Sequence, residues 1–259
     1  MDRGLEIFMK KERGEKKQVF STFAIIAFVF AVSAGLAVVS AGFGTRWGLW
    51  HFRTGFVILR FAAYGGVAAL AISIAGCVLT RPGTQRRGLV WSVIGLLIGI
   101  VVIGIPWSYW RTAQHVPPIH DITTDMENPP HFVAILPLRS NTPNPAEYGG
   151  PEIAAKQRAA YPDIVALILS IQHDQAFERA LKVARSMSWQ IVDANQTEGR
   201  IEATDRTFWF GFKDDIVVRV SSADHGSRID VRSTSRVGKS DLGTNAGRIG
   251  KYLNKLKGE

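Results

Sequence analysis

Three stretches of this chain, residues 19–42, 56–79 and 88–110, are apolar over the length that a helix needs to cross a bilayer. About 20 residues rising 1.5 Å each span a hydrocarbon core of roughly 30 Å. The first stretch carries no charge and exceeds the roughly 7–15 apolar residues of a cleavable leader, so it is expected to remain in the chain. The second holds Arg60 near one end, where its head can snorkel to the headgroups. The three predict a small transmembrane helical bundle. Apart from Arg60 they contain no Asp, Glu, His or Lys, whereas ion and proton pathways need ionisable groups or lined cavities at depth, so a transporter is not expected.

Orientation follows from the flanking cations, because Lys and Arg beside a span resist translocation. The tail 1–18 carries Arg3, Lys10, Lys11, Arg13, Lys16 and Lys17, and the second loop carries Arg81, Arg86 and Arg87. The opposite side has Arg46, Arg53 and Arg111. The expectation is a multi-pass protein of a bacterial inner membrane, with a basic cytoplasmic tail over residues 1–18 and residues 112–259 in the periplasm. The formal net charge of +9 belongs to the membrane end: residues 113–259 hold 18 basic and 18 acidic side chains. A neutral outer domain gives no reason to expect a nucleic-acid partner.

The first loop, "GTRWGLWHFRTGF", sets Trp47, Trp50 and Phe52 beside Arg46 and Arg53, a mixture suited to the headgroup boundary. It reads as an interfacial anchor, with a lipid or partner contact as the alternative. "GLLIG" places Gly95 and Gly99 on one helix face, where close packing is feasible. Cys77, the single cysteine, lies inside the second span, so the outer domain has neither disulfides nor a thiol nucleophile.

Residues 111–153 read as a proline-rich arm, ahead of an α+β domain over 154–259. Nine of the eleven prolines fall between Pro117 and Pro162, each removing a backbone donor and restricting its predecessor, which excludes long helices. His115, His120, Asp121, Asp125, Glu127 and His131 cluster there, but their spacing fits no compact metal motif, so no metal is assigned. Beyond the arm, "DQAFERALKVARSMSW" has the period of an amphipathic helix, with Asp174 placed as its N-cap. Four strands are expected at about 190–194, 200–212, 216–221 and 228–233, joined by the turn-like "NQTEG", "KDD" and "ADHGS" into an antiparallel meander. A last helix from about Asp241, with Ser240 as N-cap, repeats Leu242, Ala246, Ile249, Leu253 and Leu256. Helices on one face of the sheet complete the fold.

In this meander Ile216, Val218, Val220, Ile229 and Val231 share one face, while Asp215, Arg219, Arg228, Asp230 and Arg232 share the other. Ser235, Arg236, Lys239, Ser240, Asp241, Asn245 and Arg248 follow, leading into a helix N-terminus that favours anions. Such guanidinium groups can hold a phosphate or carboxylate. Equally, alternating Asp and Arg on a solvated face form simple ion pairs. "VGKSD" is not a phosphate loop, because Ser233 stands where its first glycine belongs.

The blocks "KQRAAYPDI", "GRIEATDRTFWFGFKDDIVVRV" and "RIDVRSTSRVGKSDLGTNAGRI", with the segment "IHDITTD" and its following "NPP", resemble the domain-of-unknown-function family 1499 of bacterial envelope proteins. The resemblance covers about residues 118–257, and the three spans resemble the membrane region that often precedes this domain. It implies that Asp214, Asp215, Arg219, Asp230, Arg232, Ser235, Arg236, Asp241, Asn245 and Arg248 stand at signature positions. It implies no activity, substrate, cofactor or catalytic residue. Two functions stay open, with a third, a bundle assembly factor whose exported domain is secondary, surviving only if residues 1–112 alone restore function. The favoured one is a non-enzymatic module that binds an anionic ligand, lipid headgroup or envelope protein through the Asp/Arg face, besides the bilayer itself. The alternative is an envelope enzyme with Asp214 or Asp215 as acid or base and Arg219, Arg232 and Arg236 as a charge clamp.

Overall fold

A computed structural model of the protein describes residues 19–258. The basic tail expected over residues 1–18 lies outside the described residues. The chain divides into two compact units, Met1–Ser108 and Tyr109–Glu259.

The N-terminal unit consists of α1 (Thr22–Arg46), α2 (Phe52–Leu79) and the body of α3 (Leu89–His115). All three are long and apolar enough to cross a membrane, and less than a third of each apolar window is buried. Large side chains such as Phe23, Ile26, Phe61, Leu97 and Val101 point outward, while the buried stripes are small: Ala24, Ala27, Ala31 and Ala34 on α1, Ala62, Gly66, Ala69, Ser73 and Gly76 on α2, Ser92, Gly95 and Gly99 on α3. This inversion suits a bilayer, where close backbone approach rather than water exclusion holds helices together. A Cβ on Gly95 would lie 2.8 Å from the Ser73 hydroxyl, and one on Gly99 would lie 3.3 Å from the Gly66 carbonyl oxygen. The "GLLIG" glycines are therefore contact points between helices. Two-residue strands β1 (Val19–Phe20) and β2 (Arg86–Arg87) pair in parallel at one end. Trp50 folds back over Gly44, while Trp47 stays exposed.

The C-terminal unit is α+β, and the expected meander forms its centre. Strands β5 (Gln190–Asn195), β6 (Arg200–Arg206), β7 (Lys213–Ala223) and β8 (Gly226–Ser235) are consecutive antiparallel neighbours. Two three-residue strands, β3 (Asp121–Thr123) and β4 (Leu167–Leu169), extend the sheet to six by pairing with the two ends of the same edge of β8. Between them lie the one-turn α4 (Leu136–Arg139) and α5 (Gly150–Ala160). Helices α6 (His173–Ser186) and α7 (Thr244–Lys257) pack on one face, burying Phe177, Ala180, Leu181, Ile249, Leu253 and Leu256 against Ile201, Ile216, Val218, Val220, Ile229 and Val231. Trp189 stacks on Tyr252 with centroids 4.9 Å apart, and the Tyr252 hydroxyl donates to the Ala180 carbonyl at 2.9 Å.

Several local expectations are corrected. Lys213, Asp214 and Asp215, read as a turn, open β7; the turn is instead residues 207–212, read as strand. Both aspartates find arginine partners, which removes the reason to expel them from a strand. Asp174 lies inside α6, whose N-cap is Gln172. Helix α7 starts at Thr244 behind Gly243, whose φ of 80° is left-handed and suits a residue without a Cβ. Residues 111–153, read as a proline-rich arm, supply the end of α3, β3, α4 and the start of α5, and Ile119, Ile122, Ile135 and Arg139 are buried.

Candidate functional site

Alternation along β7 sends Asp214 and Asp215 to opposite faces of the sheet, and the predicted site residues divide accordingly. Asp215, Arg219, Asp230, Arg232 and, beyond the strand, Arg236 belong to the face away from α6 and α7. Most of that face is covered. Residues 124–148 cross it as a roof, fixed by Phe132 and Ile135 packing on Val217. Glu202, fully buried, takes hydrogen bonds from the backbone N–H groups of Val133, Ala134 and Ile135 at 2.8, 3.1 and 2.9 Å, and is paired with Arg200.

Under the roof the carboxylates are held by arginines, while the buried Arg139 Nε and Tyr148 hydroxyl have no hydrogen-bond partner among the described residues. Arg232, 1 % exposed, grips Asp121 with both ends of its fork at 3.0 and 2.7 Å, and donates to the carbonyls of Pro130 and Ala146 at 3.3 and 2.8 Å. Its guanidinium carbon lies 5.2 Å from the Phe132 ring centroid and 5.5 Å from that of Tyr148. Burial foremost, with the Asp121 charge, pushes the Tyr148 hydroxyl up to about 12. Asp215 receives Arg139 at 2.6 Å, Arg236 at 2.9 and 2.8 Å, and the Thr204 hydroxyl at 2.7 Å. Arg139 also donates to the carbonyls of Asn144 and Pro145, both at 3.1 Å, tying the far end of the roof.

At the open rim, Arg219 and Arg228 share Asp125 and Asp230. Arg219 Nη2 is 2.9 Å from each carboxylate, and Arg228 lies 2.9 Å from Asp230 and 3.2 Å from Asp125. The Arg228 side chain is 40 % exposed and that of Arg219 26 %. The Asp230 hydrogen bond, ahead of the opposing burial, holds Arg228 above its ordinary value. Burial would raise Asp125, but bonds from the Asn128 N–H, Arg219 and the Glu127 N–H outweigh it and keep the carboxyl low.

Asp214, Ser235, Asn245 and Arg248 lie on the helix face. Arg248 reaches Asp214 at 2.6 Å and Asp205 at 2.8 Å, and also contacts Asn245. Asn245 bridges Ser233 at 2.7 Å and Ser235 at 3.0 Å. The N-terminus of α7, expected to attract an anion, already has one: Asp241 accepts from the N–H groups of Gly243 and Asn245 at 2.9 and 2.7 Å. Burial above all, with the Asp214 charge adding, raises its pKa. Ser240 accepts the Leu242 N–H at 3.2 Å, and Leu242 takes a left-handed φ of 55°.

The eleven candidate residues thus form two charged clusters on opposite faces of the sheet. Arg139, Glu202, Asp205 and Thr204 were not identified from sequence. Arg139 had one signal: it is the single Lys or Arg between residues 112 and 155, in a segment holding Asp121, Asp125, Glu127, Glu147 and Glu152. Asp121 and Asp125, grouped with histidines in a metal reading, serve as arginine partners. Among the described residues no group of three or more His, Cys, Asp or Glu could hold a metal ion.

No curated protein matches the chain. Residues 121–256 match the family described as protein of unknown function (DUF1499), and this span runs from the first residue of β3, through the roof and both clusters, into α7. More than half of the chain is matched, and the chain therefore belongs to the DUF1499 family.

Proposed function

We propose that this membrane protein presents a non-enzymatic recognition module on the periplasmic side of a bacterial inner membrane, and that the module binds an envelope protein. The observation that carries the reading is the saturation of Asp215. A carboxylate that accepts four hydrogen bonds, from Arg139, Arg236 and Thr204, has no lone pair left for a substrate proton. Asp214 is 2 % exposed, faces the other side and is held by Arg248, so the two aspartates cannot work as a pair. The Arg232 and Arg236 clamp is likewise spent on Asp121 and Asp215.

What remains accessible is the rim of Arg219 and Arg228 and the loop 236–243, where Lys239 is exposed. The rim is close to neutral, two guanidinium groups against two carboxylates, which suits a polar protein surface better than a free anion. The Lys and Arg bias of the first 112 residues supports the orientation.

The test is complementation of a deletion strain by an Arg219→Ala/Arg228→Ala variant, with a photo-crosslinking residue at position 239. A folded, protease-resistant variant that fails to complement and loses a discrete crosslinked protein supports the reading. Full complementation by that variant sinks it. Arg232→Ala is the wrong probe, because it breaks a buried pair before it touches any partner.

A further inference from the structure

The connection between α2 and α3 is held more firmly than its composition asks. Residues 80–88 read Thr-Arg-Pro-Gly-Thr-Gln-Arg-Arg-Gly, yet the loop is tied along its length. The Thr80 hydroxyl donates to the Gly76 carbonyl at 2.7 Å, and the Thr84 N–H and hydroxyl both donate to the Arg81 carbonyl, at 3.1 and 2.9 Å. The β1–β2 bridge pins the loop to the start of α1, through the Val19 N–H to the Gln85 carbonyl at 3.1 Å and the Ser21 N–H to the Arg87 carbonyl at 2.9 Å. Gly88 has a φ of 129°, and a Cβ there would lie 2.7 Å from that of Ala24, so glycine lets the chain enter α3 this close to α1.

These ties frame an open cleft of about 400 Å³ at this end of the bundle, within the roughly 300–1,000 Å³ of small-molecule sites. Its lining is of two kinds, the cations Arg81 and Arg86 and the apolar Phe20, Leu89, Val90 and Trp91. Both arginines are exposed, and so are Phe20, Val90 and Trp91. No Asp or Glu occurs between residues 19 and 108, so the described residues of the N-terminal unit offer these guanidinium groups no carboxylate. The tail 1–18 holds six basic and four acidic side chains, a net cation that does not supply the counter-charge. A guanidinium group matches the oxygens of a phosphate with two parallel hydrogen bonds.

We propose that this cleft binds an anionic phospholipid, with Arg81 and Arg86 on the phosphodiester and the acyl chains along Phe20, Val90 and Trp91. A free phosphate satisfies the arginines but leaves the apolar lining in water, whereas a phospholipid joins both chemistries in one molecule. Basic clefts between membrane helices hold anionic headgroups in this way. The proposal rests on α2 and α3 crossing a bilayer, which brings the loop between them to headgroup depth. It is independent of partner recognition by the Arg219 and Arg228 rim.

The test uses the full-length chain purified in detergent, with equimolar phosphatidylglycerol and phosphatidylcholine added, and native mass spectrometry to count the lipid of each kind retained. The parent is expected to keep phosphatidylglycerol in preference to phosphatidylcholine. Arg81→Gln and Arg86→Gln are each expected to lower that preference by about fivefold, whereas Arg53→Gln, at the opposite end of α2, leaves it unchanged. All three side chains are exposed, so the variants fold as the parent does. Equal losses in the three variants show a response to net charge and overturn the cleft, as does an Arg81→Gln/Arg86→Gln chain that keeps the parent's preference. Displacement of the retained phosphatidylglycerol by an excess of inorganic phosphate assigns the arginines to the free anion and overturns the lipid as occupant.

Discussion

Asp214 and Asp215 are neighbours in β7, yet their carboxylates lie on opposite sides of the sheet and end on different arginines: Arg248 is 2.6 Å from Asp214, and Arg139 is 2.6 Å from Asp215. One dipeptide thus ties α7 to one face and the roof to the other. Each tie is a charge pair withdrawn from water, where removing one partner costs far more than the pair contributes net.

Arg139→Ala is expected to destabilise the domain by about 3 kcal/mol, the low end of the range for orphaning a buried charge, because Arg236 still holds Asp215. Arg139→Lys does not rescue, since an ammonium cannot serve Asp215 and the carbonyls of Asn144 and Pro145 together. Arg236→Ala costs about 1–2 kcal/mol, leaving Asp215 its buried partner. Urea unfolding of the full chain in detergent reads all three.

Glu202→Ala leaves three backbone N–H groups of the roof without their acceptor, a loss of about 3 kcal/mol. The expected signature is local: protease cleavage within residues 124–148 precedes cleavage of the sheet. Uniform cleavage throughout the domain would show that the roof has no separate latch.

Two carboxyls give opposite pH signs. Asp125 is lowered on folding, so its stabilisation is present above the usual aspartate value and is lost as pH falls through the folded one. Asp241 is raised, so its contribution is present below the usual value and is lost as pH rises through the folded one. The stability gap between the parent and Asp125→Asn should shrink on acidification below about pH 4, whereas the parent should gain on Asp241→Asn. Parallel shifts in both variants would contradict the geometry.

Within the bundle, Gly95→Ala puts a methyl 2.8 Å from the Ser73 hydroxyl and 3.3 Å from the Ala27 backbone, while Gly104→Ala meets nothing within 4 Å. The first should lower the melting temperature in detergent. The second should leave it unchanged or raise it slightly, as alanine is the better helix former. A fall in both would point to helix flexibility rather than contact.

The meander and the two packed helices were readable because each repeats its apolar residues with a fixed period: Ile216, Val218 and Val220 at two, Ile249, Leu253 and Leu256 at three and four. Strands β3 and β4 are three residues long, too short to alternate visibly, and their place is set by β8 rather than by their own residues. The division of Asp and Arg between faces was also legible. That the polar face is roofed was not, because an irregular proline-rich cover has no period. The lone Arg139 marked it, but an isolated charge has meaning only once Asp215 stands opposite.

The roof and β3 also set the order in which the C-terminal unit can form. Asp121 pairs with Thr234 and Thr123 with Arg232, so the segment made first closes onto a strand made roughly a hundred residues later, and such non-local pairing is slow. During synthesis Arg139 is made long before Asp215, and Asp121 long before Arg232. The chain must therefore carry Arg139 unpaired in water while 76 residues are added, and Asp121 while 111 are added. A ribosome that stalls before Arg232 leaves β3 without its partner strand and Asp121 without its arginine.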